Sequence, residues 1–233
     1  SIPPPSDIAR RCCVSNRCWS STTAIEYTVS EQQKLILTAL EGSLLSSSAE
    51  WSINPYELER HGRGESYHPT RPPDVVVSPG SVDDVSKLLR YCNDKRLPVV
   101  PFGAGTSVEG HVCCLEGGIS LDTQKLQTIR LPGETDDDSD MHQSSGFPDL
   151  NATVGAGVTR KRLNEALRYT GLQFVVDPGA DATVGGMAAT GASGTTAVRY
   201  GTMRENILEL EFVMPDGSIV RAGTKALKNS AGY

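Results

Sequence analysis

No Cys-x-x-Cys spacing occurs among the six cysteines of this 233-residue chain, and four of them stand as adjacent pairs, Cys12-Cys13 and Cys113-Cys114. Such an arrangement does not make a zinc site. It fits free thiols in a reducing compartment better than a disulfide framework. No apolar run approaches the ~18 residues of a membrane span, so no transmembrane segment is expected. Basic residues are in deficit, 22 Lys and Arg against 28 Asp and Glu for a net charge of −6. That balance argues against nucleic acid as the main partner.

What is present concentrates in two glycine-rich stretches. Residues 98–111 read PVVPFGAGTSVEGH: a short apolar strand, Pro101, then a turn holding Gly103, Gly105, Thr106, Ser107 and Gly110. Glycine at these positions permits positive φ and lets a ligand approach where a Cβ would collide. Successive amide N–H groups in such a turn form a concave anion site, to which the Thr and Ser hydroxyls add donors. The natural guest bears phosphate; the plainer alternative is a tight turn after a strand. The spacing, G-x-G-x-x-x-x-G, is not the Rossmann fingerprint, and no Lys follows to make a Walker loop.

The second stretch, residues 177–201, reads DPGADATVGGMAATGASGTTAVRYG. Ala and Gly bury little area, so a run this poor in bulk is a weak core helix. It suggests a backbone lying flat against something large and planar. Thr183 is placed to cap a short helix whose Gly185 and Gly186 amides point at a ligand oxygen. A mobile loop is the alternative, opposed by the interleaved Pro178, Val184, Met187 and Val198.

The rest of the chain supplies scaffold. Leu35, Ile36, Ala39 and Leu40 predict a helix over residues 31–45 with Gly42 as its stop. Residues 46–73 are polar and turn-rich (Asn54-Pro55, Gly62, Gly64, Pro72-Pro73) and read as irregular, with His61 and His68 as surface residues. Residues 75–77 form a short buried strand. Ser81 to Asp84 resembles a capping box, and Val82, Val85, Leu88, Leu89 and Cys92 carry a helix to about Asn93. Strands follow at residues 97–100 and 119–122, which puts the first glycine loop at the carboxyl end of a strand. Residues 132–149 are acidic and aperiodic, a solvated insertion rather than a metal site at Asp136, Asp137 and Asp138. The core resumes at residues 152–154. A helix over residues 159–169 buries Leu163, Ala166 and Leu167, shows Arg160, Lys161 and Arg162 to solvent, and closes at Gly171. Residues 207–214 and 218–220 make a half-exposed hairpin about Pro215-Asp216-Gly217. Residues 1–30 are Arg- and Ser-rich and poor in acid, the composition of a mitochondrial transit peptide or of a plain disordered tail.

In order along residues 67–233, PPDVVVSPGSVDDVSKLL, PFGAGTSVEGH, VDPGADATVGGMAATGASGTTAVRYGTMRENI and VMPDGSIVRAGTKALKNSAGY resemble the FAD-binding half of the D-lactate dehydrogenase (cytochrome) family. That family belongs to the vanillyl-alcohol-oxidase-type flavoproteins. The resemblance implies an α+β fold, two α/β subdomains of a PCMH-type FAD-binding domain with mixed sheets and helices. Its parts would be a tail at 1–30, a helical and irregular lead-in at 31–70 and the FAD domain at 71–233. Gly103, Ala104, Gly105, Thr106 and Ser107, approached by Pro101, would hold the FAD diphosphate. Pro178, Gly179, Ala180, Thr183, Gly185, Gly186 and Met187 would border the flavin. Gly191, Ser193, Gly194 and Thr195 would follow the ring and ribityl chain, with Tyr200 and Gly201 nearby. Some relatives attach flavin covalently through a His in the first loop. Thr106 stands at that place here, which implies non-covalent FAD and a structural His111.

The implied reaction is oxidation of D-lactate, a small D-2-hydroxy acid, to pyruvate, with electrons passed to cytochrome c or a quinone in the mitochondrion. The family's catalytic His and substrate-binding Arg belong to a later cap domain, so no catalytic residue is expected in these residues. Arg199, Arg204 and Lys228 are cations near an anionic ligand, none of them catalytic. The chain is expected to be the N-terminal piece of such an enzyme. The alternative is a non-catalytic flavin-binding module that needs a separate cap chain.

Overall fold

The computed structural model describes residues 30–131 and 150–223. The tail with Cys12, Cys13 and Cys18, the acidic segment with Asp136, Asp137 and Asp138, and Lys228 lie outside the described residues.

Ser30 accepts the Gln33 amide at 3.0 Å and starts helix α1 (Glu31–Glu41), which Gly42 ends as its position predicts. The stretch expected to be irregular instead carries strand β1 (Glu50–Ser52) and helix α2 (Pro55–His61). Asn54-Pro55 is the cause. Asn54 Oδ1 accepts the Tyr56 amide at 3.0 Å, and Pro55 occupies the first helical turn, where its missing N–H costs nothing. The dipeptide opens a helix rather than a turn.

Strand β2 (Val75–Ser78), helix α3 (Val82–Lys95), strand β3 (Val99–Phe102) and strand β4 (Ile119–Asp122) follow. The sheet order is β1-β2-β4-β3, with β1 antiparallel to β2 and the other pairs parallel. So the predicted strand–helix–strand unit skips one place, and β4 inserts between its two strands. β2 and β4 are buried on both faces, as central parallel strands are; β2 is apolar from Val75 to Val77, while β4 turns Ile119 and Leu121 to one face and the buried Ser120 to the other. Val75, Val77, Ile119 and Leu121 pack with Ile36 and Leu40 of α1 and Val85, Leu88 and Cys92 of α3. Each such burial contributes about 1.5–3 kcal/mol relative to exposure.

At the start of α3, Ser81 Oγ accepts the Asp84 amide at 3.2 Å. The Asp84 carboxylate, 1% exposed, gathers Ser46 N–H (2.9 Å), Ser46 Oγ (2.7 Å), Gly80 N–H (3.2 Å) and Ser81 Oγ (3.0 Å). Burial alone would raise its pKa; the bonds from Ser46, Ser81 and Gly80 outweigh that and hold it below the ordinary carboxylate value. α3 runs past the expected Asn93 because its terminal left-handed residue is Arg96 (φ 54°), not the glycine that usually marks such an end.

The second half is built from smaller pieces. β5 (Ile129–Arg130) pairs antiparallel with β6 (Thr153–Val154). Thr159 caps α4 (Arg160–Leu167), whose Leu163 and Leu167 pack with Val158. Short helices α5 (Val184–Thr190) and α6 (Ala197–Tyr200) follow, and Met187, Val176 and Met203 form a third apolar cluster. Strands β7 (Glu209–Val213) and β8 (Ile219–Gly223) make the expected hairpin, largely exposed. Its turn docks on α3, where Ser86 Oγ donates to Gly217 O. Among the described residues the result is α+β with one mixed and two antiparallel sheets, matching the predicted fold class.

Candidate functional site

Parallel pairing with Phe102 opposite Asp122 sets the carboxyl ends of β3 and β4 side by side. The glycine loop leaves β3 there, where α/β sheets place ligands. Two side chains from the turn after β4 fix its root: Thr123 Oγ1 donates to Phe102 O at 3.0 Å, and Gln124 Nε2 donates to Gly103 O at 2.6 Å. Asp122 organises that turn by accepting the Gln124 amide at 2.9 Å.

At the root of the loop the Phe102 and Gly103 carbonyls are thus satisfied, while the amides further along are not. The amides of Ala104, Gly105, Thr106, Ser107 and Val108 have no hydrogen-bond acceptor among the described residues. Consecutive backbone donors without partners are uncommon in partly buried loops, and they suit an anion with several oxygens. Gly105 has φ +70°, and a Cβ there would fall 2.9 Å from Phe102 Cζ, so the loop lies directly on the Phe102 ring. Ser107 Oγ and His111 Nδ1 stand 3.1 Å apart.

The two small-residue stretches meet at one point. A Cβ on Gly103 would lie 2.4 Å from Thr183 Oγ1. Thr183 is buried, bridges to Thr159 and accepts the Gly186 amide at 3.4 Å as the cap of α5. The expectation that the Gly185 and Gly186 amides face a ligand oxygen does not hold. The Gly185 amide donates to Ala156 O at 3.0 Å, and the Gly186 amide is taken by Thr183 itself. A Cβ on Gly185 would fall 2.7 Å from Ala156 Cβ, so packing within the protein accounts for that glycine.

Asp177 gathers the rest of the second stretch. Its carboxylate accepts the Gly179 amide at 3.0 Å and pairs with Arg160 at 3.4 Å. Its carbonyl accepts the Thr195 amide at 3.3 Å and lies 1.6 Å from where a Gly194 Cβ would stand. Residues 177–179 and 193–195 are therefore laced together. Pro178, Ala180, Gly191 and Ser193 sit on this partly exposed segment, and Met187 is buried beneath it. Tyr200 and Gly201 end α6, where Asn206 Nδ2 donates to Tyr200 O at 3.0 Å. Pro101 faces solvent within β3.

Sequence reasoning missed what lies under the loop. His61, expected at the surface, is 3% exposed; His68 is exposed as expected. The His61 ring packs at a tilt of 47° against Phe102 with centroids 4.2 Å apart, and its Nε2 lies 3.4 Å from Asp122 Oδ2. The signal was the helix start at Asn54-Pro55, which places His61 in the last turn of α2. Among the described residues no group of three or more His, Cys, Asp or Glu is set to hold a metal ion, and no helix is long and apolar enough to cross a membrane. Cys92, Cys113 and Cys114 are free thiols.

Residues 73–223 match the FAD binding domain family. A probable mitochondrial D-lactate dehydrogenase of Danio rerio is 47% identical over 225 residues, 95% of this chain and 41% of that protein. The mitochondrial D-lactate dehydrogenase [cytochrome] of Arabidopsis thaliana is 40% identical over 175 residues, 74% of this chain and 29% of that protein. The chain thus spans less than half the length of these relatives. Among solved structures, an alkyldihydroxyacetonephosphate synthase superposes with TM-score 0.66 at 20% identity, covering 86% of this chain and 36% of the other. 6-hydroxy-D-nicotine oxidase from Arthrobacter nicotinovorans does so with TM-score 0.62 at 22% identity, covering 76% and 36%. At such identities the likeness concerns the fold.

Proposed function

The chain belongs to the FAD binding domain family, and from that premise we propose that it is the flavin-binding part of a mitochondrial enzyme that oxidises D-lactate to pyruvate. The observation that carries the reading is the row of unpaired amides at residues 104–108, rooted against buried Thr183. That cradle suits the diphosphate of FAD. Gly103, Ala104, Gly105, Thr106 and Ser107 hold it, and Thr183 fixes the distance between the loop and the second stretch. Pro178, Gly179, Ala180, Gly191, Ser193, Gly194 and Thr195 line the ring side, on a segment that Asp177 keeps in one shape. No His stands in the loop at residue 106, so the flavin is held without a covalent bond.

FAD, when bound, supplies a two-electron acceptor for the substrate's α-hydrogen and releases electrons singly to a carrier, for which a cytochrome fits the name of the Arabidopsis relative. The part played by these residues is placement: an anion cradle, a fixed floor and an apolar wall. None of these residues is assigned to proton abstraction or to binding of the substrate carboxylate.

The test is reduction of the full-length protein under anaerobic conditions. D-lactate is expected to bleach the flavin absorbance, and added cytochrome c to restore it. A flavin-loaded protein left unbleached by D-lactate and by other small D-2-hydroxy acids would overturn the assignment.

A further inference from the structure

The glycine loop carries no cation. Between Gly103 and Gly110 the one charged side chain is Glu109, yet a diphosphate brings two negative charges. A hollow of about 440 Å³ opens beside the loop, bordered by Phe102, Ala104 and Gly105 on one wall and by Tyr56, Arg60 and Arg63 on the other. Ala104 and Gly105 are two of the residues whose amides lack acceptors. Arg60 and Arg63 are exposed, and neither has an ion-pair partner among the described residues.

The element bearing these arginines is fixed to the loop at two places. On one side, the buried His61 ring rests on Phe102 and reaches Asp122. On the other, a Cβ on Gly64 would stand 3.2 Å from Ser107 O and 3.9 Å from Gly105 O, so the turn after α2 lies flush against the loop. Arg63 is held between these anchors, and Arg60 is one turn back on the helix.

We propose that Arg60 and Arg63 form the cationic side of the diphosphate site, adding charged donors to the backbone donors of residues 104–108. The inference rests on the FAD reading of the loop. Glu59 and Glu65 line the same hollow, so its overall charge is balanced. Selectivity comes from geometry: guanidinium groups reach phosphate oxygens as paired donors, and carboxylates offer none. An anion lodged on the loop amides is met by the arginines; Glu59 and Glu65 are exposed.

The experiment compares flavins that differ in phosphate. Full-length protein is stripped of flavin and titrated with FAD and with riboflavin, which has no phosphate, at low and high salt. For Arg60→Gln/Arg63→Gln, FAD affinity is expected to fall about tenfold, riboflavin affinity to stay unchanged, and the salt dependence of FAD binding to flatten. Arg60→Lys/Arg63→Lys is expected to restore part of the loss. Equal losses for both flavins, or no loss for either, would overturn the proposal. The salt dependence of the unaltered protein is a second test independent of folding: FAD binding no more salt-sensitive than riboflavin binding also overturns it. Unaltered protein that fails to bind FAD overturns the FAD reading as well, whereas tight FAD binding indifferent to both arginines sinks this inference alone.

Discussion

Thr183 Oγ1 occupies the space where a side chain on residue 103 would begin, 2.4 Å from an ideal Cβ there. One hydroxyl thus touches the glycine loop and caps α5. The two small-residue stretches are joined at this point.

Replacing Gly103 by Ala is expected to push the loop off Thr183, costing about 1–3 kcal/mol of stability and weakening FAD binding with it. Adding Thr183→Ala to Gly103→Ala removes the blocking hydroxyl. The pair should then be less damaging than the sum of the two changes, as a double-mutant cycle on FAD affinity would register. Strict additivity would mean the contact is unimportant.

Thr183→Val keeps the shape and removes the cap. With the Gly186 amide left without its acceptor, the loss should be about 1 kcal/mol, a fall of about 2–4 °C in Tm by calorimetry for a domain of this size. An unchanged Tm would contradict the capping role.

Asp84 gives a pH dependence whose sign follows from its depressed pKa. The folded state favours the carboxylate more than the unfolded state does. Its stabilising contribution is therefore complete above the ordinary carboxylate value of about 3.9 and is lost as pH falls through the lower folded value. Urea midpoints measured from neutral pH downward should drop over that window, and Asp84→Asn should start lower and respond less. The same slope in both proteins would rule Asp84 out.

Burial pushes the Cys92 and Cys114 thiols up to about 12, with Cys113 and Asp74 adding to the effect at Cys114. Thiolate is the reactive form. Iodoacetamide at mildly alkaline pH should label Cys113 and spare Cys92 and Cys114 until denaturant is added, as peptide mass spectrometry would read. Rapid native labelling of Cys92 would show that the helix α3 core opens.

The elements that sequence alone could locate were those with a strong period or a side-chain cap: β2 from Val75 to Val77, α3 from Ser81, α4 from Thr159, and the hairpin about Asp216-Gly217. What escaped depended on context. Asn54-Pro55 fits both a turn and a helix start, and only the packing of α2 against β2, with His61 on Phe102, decides between them. Arg96 adopts a conformation that its residue type does not advertise. The glycine loop was visible, but its supports were not. Thr123 and Gln124 reach it because β4 inserts beside β3, a fact of sheet order that no local pattern encodes. The same insertion brings Asp122 to His61 and turns an expected surface histidine into a buried support beside Phe102.

The central claim, that both stretches close on one non-covalent dinucleotide, is tested most directly by the visible spectrum of the purified full-length protein before and after denaturation. Flavin bands in the folded protein, with intact FAD released to the supernatant when the protein is unfolded, are the predicted result. A well-folded colourless protein that takes up no added FAD would contradict it.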